Sequence, residues 1–460
     1  MFAYSLRFVN ELLNCFLILY DTIIMTNYMQ RKNVMSDNPM KNTKMTQAKK
    51  KKNAPWVKPY HIVVRNVAEI VLYPFIRLLY GARVKRFDMT GKRQYLILMN
   101  HQTAFDQFFV GLAFKNPIYY ITSEDLFSKG FISDLIRVLV NPIPIKKQTT
   151  DPRAVINCIK VAREGGTIAM APEGNRTYDG RPLYINPTVA PLARKLGLPI
   201  ALFRIEGGYG VHPRWSDVVR GGGIDCYVSR VLEPEEYADM TDEELYKIIC
   251  EELAVNEARV TGVYPHKKNA EYLERAIYTC PVCGFSKLES HGDTIRCTSC
   301  GLEVKHTDTK ELVSENDAFN FRFVADWYDY QASLVTKLTL DDYKDAPMFT
   351  DSADLYEVIP YKNKCLIKKA VSLELYIDRV IIDGAEYPYD SLIGVTVLGK
   401  NKMNIYQGDK LYQIKGNKRF CALKYVNIFN HYKNLTKKNT ANAVNTQEED
   451  NGNGREFLGL

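Results

Sequence analysis

A histidine and an aspartate stand five residues apart just after an apolar run. The run extends from Tyr95 to Met99. His101 follows shortly after it, and Asp106 is the aspartate of the pair. An apolar run of this kind predicts a buried strand. A histidine beyond a strand end, with a carboxylate within reach of one ring nitrogen, is typical of a general base, because the carboxylate fixes the tautomer and stabilises the imidazolium. The alternative is a helix-capping aspartate beside an ordinary histidine.

Two cysteine pairs form the second chemical pattern. Cys280 and Cys283 are separated by two residues, as are Cys297 and Cys300, and a glycine follows each pair. Four thiolates on two tight turns indicate a structural zinc ribbon with no open coordination position for catalysis. Two disulfides or free thiols are the alternative. The six other cysteines are scattered singly, which fits a reducing compartment.

An arginine in a turn is the third pattern. Arg176 follows the apolar stretch Thr167 to Ala171, and Gly174 stands two residues before it. A glycine and an arginine at a strand end can bring backbone amides and a guanidinium against a phosphate. An ordinary polar turn is the alternative.

The elements that must position these residues alternate between short apolar runs and helical periods from residue 95 to about 260. Strands are predicted over Pro199 to Ile205 and Asp225 to Leu232, with a short helix from Thr188 that ends at Gly197. A capping box at Thr241 opens a helix expected to reach about Ala258. This alternation predicts an α/β domain.

The segment before this domain combines apolar and cationic features. Residues 1–30 are apolar but broken by charges, so neither a spanning helix nor a secretory signal is expected. Lys49 to Lys52 form a basic run, and in residues 59–82 Arg65, Glu69 and Arg77 share one helical face. This pattern predicts a helix in a membrane interface; a helix covering the core is the alternative. The net charge of +8 suits an anionic partner, either a membrane surface or nucleic acid.

Together these blocks resemble the glycerolipid acyltransferases, and more narrowly the bacterial lysophosphatidic acid acyltransferases. The matching blocks are Asn100 to Asp106, Glu173 to Arg176 and Leu198 to Ala201, and the resemblance covers roughly residues 59–260. Two positions depart from the family pattern: Thr103 replaces the usual serine and Asn175 the usual threonine. These departures put the identity of the acceptor in doubt more than the reaction.

The resemblance implies a mixed sheet flanked by helices and a defined reaction. A fatty acyl group would pass from acyl-CoA or acyl-carrier protein to the free hydroxyl of a lysophospholipid, foremost 1-acyl-glycerol-3-phosphate to give phosphatidic acid. His101 would be the base and Asp106 would orient it, without an acyl-enzyme. The resemblance further implies a phosphate site made by Glu173, Gly174, Arg176, Lys146 and Lys147. Another glycerolipid acceptor is the alternative.

The chain beyond residue 305 predicts a second folded part. Phe323 to Leu338 should form one helix, and from about residue 355 the apolar pattern has a period of two, with Asp383 and Gly384 at a hairpin turn. Antiparallel strands closed by a helix from about Lys418 to Lys433 resemble a pleckstrin-homology-like domain. Such a domain could contact a protein or a lipid headgroup, with these candidate lysines: Lys400, Lys402, Lys410 and Lys415.

The expected organisation is therefore a chain of modules at the cytoplasmic face of a membrane, peripheral or monotopic. A nucleic-acid-binding regulator built on the zinc ribbon would bind in a salt-sensitive manner, but it leaves the His101 stretch unexplained, so no nucleic acid partner is expected. The predicted ranges are a lysine-rich arm (1–58), an interface helix (59–82), the acyltransferase domain (83–262), the zinc ribbon (276–306), a linker with a helix (307–352), the pleckstrin-homology-like domain (353–434) and a disordered tail (435–460).

Overall fold

The computed structural model describes residues 55–89, 93–145, 151–359 and 362–444. The lysine run at 49–52, the phosphate-site candidates Lys146 and Lys147, and the end of the tail beyond residue 444 lie outside the described residues.

The first folded part is an α/β domain. Its elements are α1 (His61–Tyr80), β1 (Ala82–Val84), β2 (Leu96–Met99), α2 (Asp106–Ala113), β3 (Ile118–Ser123), a 3₁₀ helix (Glu124–Ser128), α3 (Phe131–Leu139), β4 (Ile143–Ile145), α4 (Pro152–Arg163), β5 (Thr167–Met170), α5 (Val189–Leu196), β6 (Ile200–Glu206), α6 (Gly208–Val211), β7 (Ile224–Leu232), α7 (Pro234–Tyr237) and α8 (Asp242–Leu253). The seven strands form one sheet in the order β1-β7-β6-β2-β5-β3-β4. Only β6 and β7 pair antiparallel, so the predicted mixed sheet is confirmed.

Both faces of this sheet are covered, which explains its continuous apolar strands. All four residues of β2 are buried. Ile97 packs in a core cluster with α1 and α2, whereas Leu96 and Leu98 pack in a second cluster with α4, α5 and α8. Strands buried on two faces are apolar at every position rather than at alternate ones.

Two helix ends in this domain show where local sequence determines the end of a helix and where it does not. Gly197 ends α5 in a left-handed conformation with φ of 62°, as its position predicts. The predicted end of α8 near Ala258 is wrong, because the helix stops at Leu253. Glu257 lies beyond that end, where its carboxylate accepts the backbone N–H groups of Gly207 and Gly210 at 2.7 and 3.1 Å. These bonds with a distant segment place residue 257 outside the helix.

The four cysteines lie in a small β region. Its strands are β8 (Thr279–Cys280), β9 (Gly284–Phe285), β10 (Leu288–His291), β11 (Thr294–Cys297), β12 (Glu303–His306) and β13 (Leu312–Val313). The last four form an antiparallel sheet. Helix α9 (Val324–Thr336) follows, within the range that the sequence predicts.

The C-terminal part is a second seven-stranded sheet. Its strands are β14 (Phe349–Ile359), β15 (Asn363–Leu375), β16 (Arg379–Ile382), β17 (Ala385–Pro388), β18 (Gly394–Leu398), β19 (Lys402–Gln407) and β20 (Lys410–Gly416), followed by α10 (Ala422–Val444). All neighbouring strands pair antiparallel. Asp383 and Gly384 have φ of 52° and 80° and form the predicted turn between β16 and β17. The predicted β-rich domain is therefore present, although its helix begins at Ala422 rather than Lys418.

The C-terminal sheet is packed on the α/β domain. Asp125, in the 3₁₀ helix after β3, accepts hydrogen bonds from Lys364 at 2.9 Å and from Gln413 at 3.2 Å. The core cluster of the C-terminal sheet also includes Tyr178 and Trp215 of the α/β domain. Two residues of the α/β domain therefore pack in the core of the C-terminal part.

Candidate active site

The three sequence blocks of the α/β domain converge where three parallel strands end. Strand β2 lies between β5 and β6, with Leu98 paired to Met170 and to Leu202. The carboxyl ends of these strands therefore meet at one edge of the sheet, where open α/β sheets place their ligands. Asn100 fixes this edge: its side chain donates to the Ile205 carbonyl at 2.9 Å and accepts from the Ile205 N–H at 2.8 Å.

His101 and Asp106 are joined directly at this edge. The Nδ1 atom of His101 lies 2.7 Å from Oδ2 of Asp106, whose side chain is fully buried. Asp106 also accepts hydrogen bonds from the backbone of Gln102 at 2.7 Å and from the backbone and hydroxyl of Thr103 at 2.9 and 2.7 Å. The carboxylate only accepts, so Nδ1 carries the proton and Nε2 is the basic nitrogen. The imidazole is 25% exposed, which leaves room for a substrate hydroxyl.

Burial of the His101 imidazole favours its neutral form. Burial lowers the pKa of His101; the bonded Asp106 opposes this shift, and Arg176 and Arg214 add to it. A neutral imidazole is the form that can accept a proton. The histidine is therefore a free base at neutral pH even though a carboxylate touches it.

Arg176 brings an uncompensated cation to the site. Gly174, with φ of 68°, makes the turn that follows β5, and Arg176 comes two residues later. Its Nη1 atom is buried and has no hydrogen-bond partner among the described residues. Burial and the neighbouring Arg214 lower the pKa of Arg176 to about 10, so the guanidinium remains charged at neutral pH. A buried donor without a partner is costly, and an anionic ligand would satisfy it.

Arg214 is a second cation that the sequence interpretation missed. Its side chain is 4% exposed and donates from Nη1 to the Arg176 carbonyl at 2.8 Å. Its guanidinium lies 4.3 Å from the centre of the Tyr178 ring, and its Nε atom is buried without a partner in the described part of the chain. The available signal was its place shortly after β6, at the same sheet edge as His101.

Glu173 and Gly174 occupy different places around this site. Glu173 is buried and accepts a hydrogen bond from the backbone of His101, and burial raises the pKa of its carboxyl well above the ordinary value. The nearby carboxylate of Asp106 adds to this rise in pKa. Gly174 is exposed at the turn. Of the predicted phosphate-site residues that the structure describes, only Arg176 offers an unpartnered charged donor.

The four cysteines converge more than sixty residues beyond Arg214 in the chain. The sulfur atoms of Cys280, Cys283, Cys297 and Cys300 all lie within 4.8 Å of one another. Gly284 and Gly301, which follow the two pairs, have φ of 74° and 77°. Zinc–sulfur bonds of about 2.3 Å place sulfurs about 3.8 Å apart in a tetrahedron. The cluster therefore fits a four-coordinate metal.

The site as a whole can deprotonate a neutral hydroxyl and hold an anion next to it. Residues 80–205 match the protein-family model described as Acyltransferase. The α/β domain of this chain is therefore an acyltransferase-family domain, as its sequence blocks predicted.

The chain is also similar to individual proteins. The chain is 22% identical over 196 residues to 1-acyl-sn-glycerol-3-phosphate acyltransferase BAT2, chloroplastic, of Brassica napus, covering 41% of this chain and 55% of that protein. It is 21% identical to the chloroplastic LPAT1 of Arabidopsis thaliana, covering 41% and 53%. A crystal structure of the 1-acyl-sn-glycerophosphate acyltransferase PlsC from Thermotoga maritima matches with 22% identity and a TM-score of 0.35, covering 42% of this chain and 75% of that one. The chain thus spans little more than half the length of the plant relatives.

Proposed function

We propose that this protein is a membrane-surface acyltransferase that moves a fatty acyl group from acyl-CoA or acyl-carrier protein to the free hydroxyl of a lysophospholipid, foremost 1-acyl-glycerol-3-phosphate. The observation that carries this proposal is the free Nε2 of His101 near Arg176, whose buried Nη1 atom has no partner among the described residues. A phosphate-bearing alcohol needs both groups, one for its hydroxyl and one for its charge. The plant relatives' names support the same acceptor.

The reaction would require no covalent enzyme intermediate. Nε2 of His101 accepts the proton of the acceptor hydroxyl, and the resulting oxygen nucleophile attacks the thioester carbonyl carbon. The carbon–sulfur bond then breaks, and the leaving thiolate takes the proton back from Nε2. Asp106 stabilises the imidazolium through its bond to Nδ1. Arg176 and Arg214 would bind the acceptor phosphate.

The orientation of α1 supports a membrane-surface location. Its charged residues Arg65 and Glu69 form an ion pair that faces the domain, and Arg65 donates to the Phe114 carbonyl at 2.7 Å. The outward face is largely apolar instead: Ile70 is 75% exposed and Leu78 is 86% exposed, although Arg77 is also exposed there. A helix of a water-soluble surface has the reverse arrangement. The apolar face would lie in the headgroup region of a bilayer.

A neighbouring helix extends this apolar surface. Helix α3 packs on α1 through Leu135, Leu139 and Val64, and its first residues Phe131 and Ile132 are more than half exposed. No helix in the described ranges is long and apolar enough to cross a membrane. The proposed attachment is peripheral or monotopic, at the cytoplasmic face where thioester donors and free thiols coexist.

Turnover of labelled acyl-CoA tests the proposed reaction directly. The protein is incubated with vesicles that contain lysophosphatidic acid, and phosphatidic acid is expected for the wild type but not for His101→Ala. Lysophosphatidylcholine and monoacylglycerol, offered in parallel, measure the choice of acceptor. Absence of transfer to every acceptor, or full activity of His101→Ala, would refute the proposal.

The cysteine cluster adds a proposed structural zinc ion. Cys280, Cys283, Cys297 and Cys300 supply four sulfurs and no open position, so the metal would stabilise the fold rather than act in the reaction. One zinc per chain by elemental analysis, and its loss in Cys283→Ser, are the expected results. A metal content of zero in protein purified under reducing conditions would contradict this site.

The C-terminal sheet is proposed as a pleckstrin-homology-like module. Of its four candidate headgroup lysines, Lys410 and Lys415 are exposed, Lys402 is half-buried, and Lys400 is engaged with the α/β domain. Headgroup binding by this module therefore depends on the first two. The double variant Lys410→Glu, Lys415→Glu should weaken sedimentation with anionic vesicles, and unchanged sedimentation would refute a lipid role for this face.

A further inference from the structure

A chain of hydrogen bonds connects the turn between β18 and β19 with the His101 site. Lys400, in that turn, lies 3.2 Å from Nε2 of His212, and Nδ1 of His212 lies 3.0 Å from the hydroxyl oxygen of Tyr80. Tyr80 is the last residue of α1, and His212 follows α6. The chain therefore spans the C-terminal sheet and two separate segments of the α/β domain.

The direction of each hydrogen bond follows from the donors available. The Lys400 ammonium has three hydrogens and cannot accept, and it has three acceptors: Nε2 of His212, the Ser216 carbonyl, and Asp217 at 3.0 Å. Nε2 of His212 must therefore accept, which places the imidazole hydrogen on Nδ1. That hydrogen is donated to Tyr80, so the hydrogen of the Tyr80 hydroxyl is left for another acceptor.

The protonation states agree with this direction. Burial and Lys400 lower the pKa of His212 to about 3, so its imidazole does not take up a second proton at neutral pH. Burial lowers the pKa of Lys400 to about 8, with Asp217 opposing, which keeps most of the ammonium charged at pH 7. Burial also raises the pKa of Tyr80, so its hydroxyl stays a donor.

The Tyr80 hydroxyl belongs to the surroundings of the active site. Its ring packs on Phe105 and Phe109, with ring centres 5.0 and 6.0 Å away, and these residues flank Asp106 in sequence. Asp106 and Arg176 are the two charges that act on the hydroxyl most strongly. The free donor therefore lies near both charged groups of the His101 site, and Arg176 there also has a buried donor without a partner among the described residues.

We propose that the Tyr80 hydroxyl donates a hydrogen bond to the acceptor phosphate beside Arg176, and that Lys400 and His212 are positioning residues that direct it there. The C-terminal sheet is then part of the substrate site rather than only a module attached to it. This inference rests on the proposed acyl transfer to a phosphate-bearing acceptor.

Steady-state kinetics of three variants test the proposal. Tyr80→Phe keeps the ring and removes the donor, so KM for lysophosphatidic acid should rise about tenfold while kcat stays within about twofold. Lys400→Met should raise KM by about three- to tenfold. Asp217 retains its pair with Arg275 at 2.9 Å in that variant, which should preserve the fold. The double variant should be no worse than Tyr80→Phe, because Lys400 acts through Tyr80.

Two matched controls separate a directed hydrogen bond from general packing. Tyr237→Phe removes another buried hydroxyl, which lies away from the site. This hydroxyl donates a hydrogen bond to the Leu198 carbonyl at 2.9 Å. Lys369→Met removes an exposed lysine of the same sheet. Both should leave KM within about twofold.

The outcomes distinguish this inference from the function on which it rests. If the wild type transfers acyl groups but Tyr80→Phe leaves KM unchanged, or lowers kcat alone, the hydroxyl assignment is overturned and the acyltransferase proposal stands. Multiplicative effects in the double variant would overturn the positioning role of Lys400. If the wild type acylates no lysophospholipid, both proposals fail together.

Discussion

The protein contains two seven-stranded sheets that differ in what their polar residues do. In the first, polar groups are concentrated where β2, β5 and β6 end, and the strands themselves are buried on both faces. In the second, one face packs on α10 and the other carries polar residues along the strands, including Asn404 and Gln413, each 3% exposed. The first sheet therefore presents chemistry at an edge, whereas the second uses a polar face for docking.

The difference follows from strand direction. Parallel strands bring their carboxyl ends to one edge, so residues far apart in sequence meet there without occupying strand positions. Antiparallel strands alternate their side chains between two faces, so a polar residue at every second position builds a continuous surface. Here that surface holds Asp125 of the other domain through Lys364 and Gln413.

The largest expected effect tests whether the chemistry resides at the edge of the first sheet. In Asp106→Asn the amide group would donate to Nδ1 of His101, which reverses the tautomer and removes the basic Nε2. We expect kcat to fall about 10²- to 10⁴-fold. Steady-state turnover measures this, with thermal unfolding as the control for the fold. A loss below about threefold would place the base elsewhere.

The next effect tests whether the two sheets unfold as one unit. Leu98→Ala in β2 and Leu373→Ala in β15 each truncate a fully buried side chain, and each should lower the free energy of unfolding by about 2–5 kcal/mol. Because two residues of the α/β domain pack in the core of the C-terminal part, activity and tryptophan fluorescence should be lost in the same transition. A Leu373→Ala transition that leaves acyl transfer intact would show that the sheets unfold separately.

A smaller effect tests the docking of the second sheet. Asp125→Asn leaves the partly buried Lys364 without its ion-pair partner. The free energy of unfolding, measured by urea titration, should therefore fall by about 1–3 kcal/mol. The matched control is Arg83→Gln, which removes an exposed pair with Asp225 and should shift the urea midpoint far less than Asp125→Asn does. Equal effects of the two substitutions would mean that the interdomain pair contributes no more than a surface pair.

The smallest effect concerns pH. Burial lowers the pKa of His101 from its usual 6.5, so more than half of the imidazole is neutral at pH 6.5 and kcat/KM should change less than about twofold between pH 6.5 and 8. Below the folded-state pKa the base is progressively protonated, and activity should fall about tenfold per pH unit. A half-maximal rate above pH 7 would contradict a depressed pKa.

Much of this architecture is determined by sequence because its causes are local. The continuous apolar run before Asn100 predicts a strand buried on both faces, and the period of two after residue 355 predicts strands buried on one face. The two sheets have these two forms. The five-residue spacing of His101 and Asp106 lets the first turn of α2 bring their side chains together. The Cys-x-x-Cys pairs and the glycines after them likewise bring the four sulfurs within 4.8 Å, although two turns must meet for this.

Only the tertiary structure decided which residues, distant in sequence, pack against these elements and join the candidate site. Periodicity shows that a face is buried but not what covers it, so it could not reveal that Arg65 and Glu69 of α1 face inward or that Lys400 reaches His212. Arg214 had no motif to identify it, because its role arises from lying beside Arg176, 38 positions earlier in the chain. Contacts between residues far apart in sequence depend on how whole helices and strands pack together. Local sequence patterns do not specify that packing.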